Sequence, residues 1–428
     1  DERSHSLLTL YRSNRAEFLA QLLAQQLLEQ RPGPLETVEV MVNTWPTSRW
    51  LGEQLAQTIG ISSLVRFPFP GSRLRQLVRQ VLELPSQQDD PWRAGRLVWA
   101  VLDRLPAVLD QPSAEPLRRW LERRDGPNAT SGLSRDRWQL ARSIADAFDD
   151  YALYRPDLLA QWQQDRRQND WQPLLWRDLA RQLPAEPFGL QVRSAVQRLL
   201  QGQVNPASLP QRLRLFGISA LAPVQVELIQ ALSGLLEVEV YLLTPCPDLW
   251  QRCGSRREQL GEGWLEPPDG VWLEAAPRTE AILGRMGAEF QQLLEGVGDV
   301  QLGERRDGDL FAAPAEMAAA GVESASLLEQ LQQQLVDCER SAPLRRCRTD
   351  QSLLFQAAPG PWREVQLVRD RILQWLAADS ELEPRDVLVM TPQIDRYAPL
   401  LSSVFNDVDA IGVDLPWRLT DRSQQSSP

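Results

Sequence analysis

The fold is decided near the start of the chain, where residues Leu7–Leu27 read LLTLYRSNRAEFLAQLLAQQL. The first five residues have the apolar composition of a buried strand, and the leucines that follow recur at the spacing of a helix. In a nucleotide-binding α/β domain, the turn between such a strand and helix carries the glycines and the lysine of a phosphate-binding loop. The turn Arg12–Arg15 reads RSNR and contains neither residue type. We therefore predict an α/β domain whose nucleotide site is lost.

The basic side chains exclude a further class of chemistry, because all 46 of them are arginine. Schiff-base enzymes need a lysine amine that can lose its proton, and this chain has no lysine. A GC-rich genome, which encodes arginine in place of lysine, would explain the composition but not the missing glycines of the turn.

Histidine and cysteine are too scarce for the common catalytic and metal sites. The only histidine is His5, so a serine triad, histidine acid–base catalysis and a histidine-rich metal centre are excluded. The four cysteines have spacings that fit neither a disulfide scaffold nor a zinc site. We predict no catalytic residue, no metal site and no bound cofactor in this chain.

Charge is distributed unevenly along the sequence. The formal net charge of −11 argues against nucleic-acid binding by the surface as a whole. Residues Ser62–Arg142 carry fourteen arginines against nine acids, a balance of +5, so the remainder of the chain carries −16. This basic island is typical of a groove for a polyanion, and equally of arginine-rich helices exposed to solvent.

The sequence has no targeting or membrane signal. No apolar run approaches the roughly 20 residues of a membrane span, and the N-terminus lacks the apolar core of a signal peptide. We therefore expect a cytoplasmic protein that makes no contact with a membrane.

Four runs of aliphatic and β-branched residues predict strands. They are Leu7–Tyr11, Thr37–Val42, Leu213–Ile218 and Val238–Leu243. Helical periodicity follows most of them, and this alternation is typical of a parallel sheet covered by helices. Between the second and third runs, Arg73–Leu200 reads as successive helices separated by proline and glycine. We predict a first α/β domain formed by residues 1–66 and 211–341, with residues 67–210 inserted as a helical subdomain.

Residues 342–428 are predicted to begin a second α/β domain. Ser352–Ala357 and Asp386–Thr391 have strand composition, and Pro361–Ala377 between them has helical periodicity with a proline in its first turn. A single strand–helix–strand unit leaves its faces and edges uncovered. We therefore expect the chain to be an N-terminal fragment that ends inside this domain.

Seven of the fifteen tryptophans fall in the predicted helical subdomain. They are Trp92, Trp99, Trp120, Trp138, Trp162, Trp171 and Trp176. Single-stranded bases stack on tryptophan, so a platform for nucleic acid is one interpretation. Core packing is the expected role of most of them, since successive helices must bury apolar faces.

Several short segments occur in the order found in one bacterial family. They are YRSNR at Tyr11–Arg15, FPFP at Phe67–Pro70, DDYALYRPD at Asp149–Asp157, FGISAL at Phe216–Leu221, PRDVLVM at Pro384–Met390 and TDR at Thr420–Arg422. In this order they resemble the RecC family, the gamma subunits of RecBCD (exodeoxyribonuclease V) helicase–nucleases. No single segment is specific, but the ordered set covers the chain from about Leu7 to its end.

The resemblance implies the architecture of a superfamily 1 helicase, a P-loop NTPase-like fold, with decayed ATP sites. The strand Leu213–Ile218 lies at a plausible Walker B position, yet Ser219–Leu221 follow it without the acids that hold Mg²⁺. As the family implies, the chain would be a non-catalytic subunit of a heterotrimer with RecB-like and RecD-like motors. Those partner subunits would use ATP and Mg²⁺.

The family's role, and hence the role implied here, lies in repair of double-strand breaks by homologous recombination. A RecC-like subunit splits the duplex at a DNA end and leads the 3′ single strand through a tunnel where the Chi sequence is read. Ten positions of this chain align with residues that line the tunnel. They are Asn43, Trp45, Arg49, Phe69, Arg75, Asp146, Ala147, Asp149, Asp150 and Arg155.

The residue types at these positions differ in how well they match the family. Asp146, Asp149 and Arg155 keep the family's residue type. Asn43 replaces a glutamine by a shorter amide, and the remaining six depart from the family. Because base readers depend on donor–acceptor pattern and side-chain reach, we expect a different DNA sequence to be read, or none.

The acidic residues between Asp146 and Asp150 also suggest contact with DNA base edges. Asp146, Asp149 and Asp150 place three carboxylates within about one and a half turns of a predicted helix. Carboxylates can accept from cytosine amino groups and repel phosphates, which favours sequence reading over general clamping. Arg142 precedes Asp146 by four residues, so a solvated, salt-bridged face is an open alternative. A metal-binding acidic cluster would need a second such cluster, which the sequence lacks.

A helical protein-interaction scaffold without DNA contact is the alternative function, since a helical insertion and an acidic surface suit it well. The two hypotheses differ in where the arginines point. DNA binding predicts one concave surface formed by Arg66, Arg73, Arg75, Arg79, Trp45 and Asp149. Scattered arginines would favour the scaffold.

Overall fold

The structure is a computed structural model, and it describes residues 8–33, 35–85, 90–125, 133–164, 170–247, 284–295, 308–314, 325–337 and 343–420. The chain forms two compact units, residues 1–346 and 347–428. His5, Cys253 and Cys338 lie outside the described residues, as does the end of the segment TDR.

The first unit is built on one parallel sheet. Its strands are β1 (Leu8–Ser13), β2 (Val38–Met41), β3 (Val65–Arg66), β4 (Arg212–Phe216), β5 (Glu237–Leu243) and β6 (Gly308–Asp309). They follow the spatial order β3-β2-β4-β5-β1-β6, and each neighbouring pair is parallel. The predicted parallel sheet and its four strands are confirmed. Sequence reading missed β3 and β6, because two residues are too few to form a pattern.

Helices cover both faces of this sheet. The helices of the first unit are α1 (Ala16–Glu29), α2 (Trp45–Ile59), α3 (Pro70–Leu82), α4 (Ala94–Leu109), α5 (Glu115–Asp125), α6 (Arg135–Tyr154), α7 (Pro156–Gln164), α8 (Trp171–Gln182), α9 (Phe188–Leu200), α10 (Pro223–Leu232), α11 (Arg285–Glu295) and α12 (Leu327–Asp337). Alternate residues of β5 point to opposite faces: Tyr241 packs with α1 and α2, whereas Val240 packs with α3, α9 and α10. Burial of both faces is typical of a parallel sheet.

Helices α3 to α9 lie in the chain between β3 and β4, the two strands that flank β2 in the sheet. The chain leaves the sheet after β3 and returns as β4, which pairs with β2. Among the described residues of this interval no strand occurs. Helices α4 to α8 share a core of their own, which buries Trp92, Trp162 and Trp176, so core packing is confirmed for these three tryptophans.

The end of α6 is held close to α9 by a glycine. A Cβ atom at Gly189 would overlap the carbonyl oxygen of Ala152, so only glycine permits this approach. Helix α9 also packs on α3, where the Arg198 guanidinium donates to the Val81 carbonyl oxygen at 3.2 Å. Through α9, the C-terminal half of α6 and the helix α3 are therefore fixed in one framework.

The described residues of the second unit form three α-helices, α13 (Pro361–Ala378), α14 (Ile394–Phe405) and α15 (Val408–Ile411). The predicted helix is confirmed as α13, which packs on α14 through Val365 and Ile372. The strands predicted at Ser352–Ala357 and Asp386–Thr391 are wrong. Neither segment has a ladder partner among the described residues, and aliphatic composition forms a strand only where a neighbour accepts its hydrogen bonds.

Within the described residues, none of the helices combines the length and the apolar character that crossing a membrane requires.

Candidate nucleic-acid interface

The turn between β1 and α1, where a phosphate loop would lie, is bonded to another part of the chain. The Ser13 hydroxyl donates to the Leu310 carbonyl oxygen at 2.7 Å and accepts from the Arg15 N–H at 2.9 Å. The Asn14 amide donates to the Ala312 carbonyl oxygen at 3.0 Å and accepts from the Ala312 N–H at 2.8 Å. The side chains of Ser13 and Asn14 are thus used by residues 310–312.

The end of β4, at the predicted Walker B position, is also unsuited to Mg²⁺. Gly217 turns the chain in the left-handed conformation, with φ of 62°, and its N–H donates to the Tyr241 carbonyl oxygen at 3.0 Å. The residues that follow are Ile218–Leu221, which bring no carboxylate. In the described part of the chain, no group of three or more His, Cys, Asp or Glu residues is arranged to hold a metal ion.

The turn between β2 and α2 is open by comparison. The Thr44 hydroxyl caps α2 by accepting from the Thr47 N–H at 3.2 Å, so the helix end needs no other partner. Asn43 and Trp45 flank this cap and are exposed, with 72% of the Trp45 surface accessible. Arg49 lies one turn further along α2 and pairs with Glu53, its Nε 3.2 Å from the carboxylate, on the solvent face.

Trp45 lies against Phe69, a second predicted site residue. The Val42 N–H donates to the Pro68 carbonyl oxygen at 3.2 Å, which ties the end of β2 to the FPFP turn. Phe69 is the N-cap residue of α3, and its ring meets the Trp45 indole edge to face, with centroids 5.3 Å apart and planes at 89°. The carboxyl edge of the sheet therefore carries an aromatic pair, in which exposed Trp45 lies against half-buried Phe69.

Arg75 sits six residues beyond Phe69 on α3, about 9 Å along the helix. Its guanidinium forms an ion pair with Asp90 and lies over the Phe188 ring, 4.4 Å from the centroid. Burial lowers the pKa of Arg75, and the nearby carboxylates of Asp90 and Asp149 oppose that shift. Asp90 and Phe188 were missed by sequence reading, because no local pattern links them to Arg75.

Asp149 caps a neighbouring helix. Its carboxylate oxygen Oδ2 accepts from the Ala94 N–H at 3.1 Å, at the start of α4. The N-cap residue of α4 is Arg93, whose side chain makes no capping bond, so Asp149 supplies a partner from α6. A carboxylate at this position also interacts favourably with the helix dipole. Base reading by Asp149 stays a prediction, but its carboxylate has a part in the fold.

The other positions on α6 and at its end face solvent to different degrees. Asp146 accepts from Arg142 Nε at 3.1 Å, as the salt-bridged alternative predicted. Asp150 and Arg155 are exposed, and Ala147 is half-buried.

The arginines of the basic island do not all meet on one surface. Arg73 is buried and its Nε lies 2.7 Å from the Glu39 carboxylate on β2. Arg75 and Arg79 line a groove of about 640 Å³ beside Asp90, while Arg66 is exposed on β3. The structure thus brings Trp45 to Phe69 at the start of α3, and Arg75 to Asp149 further along the same helix.

Comparison with known proteins fits this architecture. Residues 8–338 match the family model of the RecC N-terminal domain. The chain is 31% identical to RecBCD enzyme subunit RecC of Mycolicibacterium smegmatis over 94% of its own length and 35% of the relative's. It is 28% identical to the Escherichia coli subunit, over 99% of this chain and 40% of the relative. It is 25% identical to the Haemophilus influenzae subunit, over 98% of this chain and 41% of the relative. The chain therefore spans about two fifths or less of the length of these curated relatives. With a family match that extends from the first strand through α12, the chain belongs to the RecC family.

Proposed function

We propose that this chain is the DNA-binding, non-catalytic part of a RecBCD-type helicase–nuclease that repairs double-strand breaks by homologous recombination. Bound to RecB-like and RecD-like motors in the bacterial cytoplasm, it splits the duplex and guides the 3′ single strand. Its first unit is a superfamily 1 helicase domain that no longer uses ATP. ATP and Mg²⁺ serve the motor subunits.

The pair formed by exposed Trp45 and half-buried Phe69 carries this proposal. An indole left open to solvent at the carboxyl edge of a parallel sheet lies where α/β proteins bind their ligands. Single-stranded bases stack on such rings, and the contact is independent of sequence because every base has a π-face. Asn43, beside Trp45, adds an exposed amide that can hydrogen-bond a base edge.

The bonded turn at Ser13 and Asn14 supports the loss of ATP use. A phosphate loop needs free N–H groups and a lysine, whereas this turn satisfies its polar groups with Leu310 and Ala312. Entry of a nucleotide would break those bonds, and the turn has no lysine to pair with the phosphates.

Reading of a Chi-like sequence would fall to side chains other than Asp149 and Arg75. Asp149 caps α4 and Arg75 pairs with Asp90, so both side chains already have partners in the framework. We assign base contacts first to Asn43, Trp45 and Phe69. Because these differ from the family's residues, the sequence read differs from Chi, or the strand is guided without being read.

The scaffold alternative draws support from the same ion pairs. Arg73 is tied to Glu39 and Arg75 to Asp90, which leaves fewer arginines for phosphates than the basic island suggests. If no single strand binds, these helices would serve only to hold partner subunits.

Binding of a labelled oligothymidylate, followed by fluorescence anisotropy, separates the two functions. Trp45→Ala should weaken binding by about fivefold or more, the effect of losing one stacked base. Trp375→Ala removes a partly exposed tryptophan of the second unit and should leave binding unchanged. Absence of measurable binding by the wild-type chain would favour the scaffold, whereas equal affinity of wild type and Trp45→Ala would exclude this aromatic pair as the binding site. Co-purification with RecB-like and RecD-like subunits tests the assembly separately.

A further inference from the structure

Two tryptophans of the inserted helices are exposed, and a third, close to them, is partly buried against the helical core. Trp99 on α4 is 60% exposed and Trp120 on α5 is 36% exposed, and Trp138 on α6 is partly covered. Exposing several large aromatic side chains in one region is unfavourable in water, so such a patch usually binds something. None of the three is among the ten tunnel positions.

Trp99 and Trp138 form one end of this surface. Their ring centroids are 5.0 Å apart and their planes meet at 57°. One helical turn beyond Trp138, Arg142 reaches across to α4, where a Cβ on Gly95 would lie 3.9 Å from its Nη1. Gly95 and Trp99 are also one turn apart, so the two helices run side by side with the indoles next to a guanidinium.

Trp120 forms the other end. Together with Pro116, Leu117 and Trp138 it lines a groove of about 640 Å³ between α5 and α6. The Arg124 guanidinium carbon lies 4.8 Å from the centroid of the Trp120 ring, and Arg124 also pairs with Asp136 at 3.1 Å. An arginine therefore stands beside the aromatic surface at each end, and each forms a surface ion pair that a phosphate would have to compete with, Arg124 with Asp136 and Arg142 with Asp146.

The charge around this surface suits a polyanion. Residues 93–142 contain ten arginines and six acids, a balance of +4 in a chain whose net charge is −11. Helix α5 alone carries four arginines within seven residues, Arg118, Arg119, Arg123 and Arg124. A protein partner would need an acidic, apolar face to fit here, whereas single-stranded DNA offers planar bases and phosphates together.

We propose that Trp99, Trp120 and Trp138 form a second binding surface for single-stranded DNA, outside the tunnel positions. Bases stack on the indoles and phosphates pair with the flanking arginines. The surface does not depend on the Trp45 and Phe69 pair, and it would hold a strand even where no sequence is read.

Anisotropy titrations of the chain with labelled oligothymidylate of about 16 nucleotides test this surface. Trp99→Ala and Trp120→Ala should each weaken binding by about fivefold or more, and Trp99→Phe should keep most of the affinity because it keeps a ring. Trp362→Ala, a partly exposed tryptophan of the second unit, is the matched control and should bind like wild type. Circular dichroism checks that each variant is folded.

An abasic oligonucleotide of the same length separates stacking from charge. It should bind wild type weakly, and Trp99→Ala and Trp120→Ala should bind it no more weakly than wild type does. If both alanine variants bind oligothymidylate like wild type, the surface is not a DNA site, and a protein is then its partner. That result leaves the proposed function intact as long as Trp45→Ala still weakens binding. If Trp45→Ala binds oligothymidylate like wild type and Trp99→Ala binds it more weakly, the result would instead contradict the site at Trp45 and Phe69 and support this surface.

Discussion

Two strand-to-helix turns lie at the same edge of one sheet and are used in opposite ways. At the β1–α1 turn, Ser13 and Asn14 bond to residues 310–312, so the turn is closed by the chain itself. At the β2–α2 turn, Thr44 satisfies the helix end locally and leaves Asn43 and Trp45 open to solvent. The same topology therefore supplies either a sealed turn or a binding surface, depending on where the polar groups of the turn find partners.

The largest effect is expected from breaking the closed turn. Asn14→Ala removes both bonds to the Ala312 backbone and should lower the free energy of unfolding by about 1–3 kcal/mol. Asn43→Ala is the matched change in the open turn, and at an exposed position it should cost less than about 0.5 kcal/mol. Urea denaturation of both variants measures the difference. Similar values for the two would mean that the turns do not differ as described.

A smaller effect is expected at the cap of α4. Asp149→Ala removes the partner of the Ala94 N–H and should destabilise the protein by about 1 kcal/mol. Asp150→Ala, at the exposed neighbouring position, should be nearly neutral. Thermal unfolding followed by circular dichroism compares them.

Asp149→Asn tests whether Asp149 contacts DNA bases in addition to capping α4. Asparagine caps helices about as well as aspartate, so the fold should be kept while the charge is lost. Selection from random single strands with the assembled complex then reports on reading alone. A changed sequence preference would assign Asp149 to base contact, and an unchanged one leaves it as a cap.

The smallest effect is expected in ATP binding at the closed β1–α1 turn. Because Ser13 and Asn14 are already bonded and no lysine is present, titration with a labelled ATP analogue should give no saturable binding. Asn14→Ala opens the turn without adding a lysine and should bind no better. Saturable micromolar binding to wild type would mean that residues 310–312 yield to a nucleotide.

Much of the sheet could be predicted from sequence, because β1, β2, β4 and β5 are aliphatic runs buried on both faces. The strands proposed in the second unit failed for the opposite reason: their side chains are apolar, but no neighbouring strand pairs with them among the described residues. Apolar composition indicates that a segment tends to be buried, but it does not show whether a neighbouring strand is present to pair with it.

Sequence reading named candidate site residues, which stay predictions, but it could not predict the contacts between them. The contact between Trp45 and Phe69 depends on β2 lying beside β3, which places the FPFP turn next to the start of α2. The cap from Asp149 to α4 and the pair of Arg75 with Asp90 join segments that are far apart or unrelated in pattern. Only the folded chain brings such groups together.

Photocross-linking tests the central claim, that the open β2–α2 turn holds single-stranded DNA. An oligonucleotide carrying 5-iododeoxyuridine, which reacts with aromatic side chains in contact with it, is irradiated with the chain and the attached peptides are identified. Cross-links to Trp45 or Phe69 are the expected result, and Trp45→Ala should reduce them. Cross-links confined to other peptides, with none between residues 43 and 69, would contradict the assignment of this turn as a DNA site.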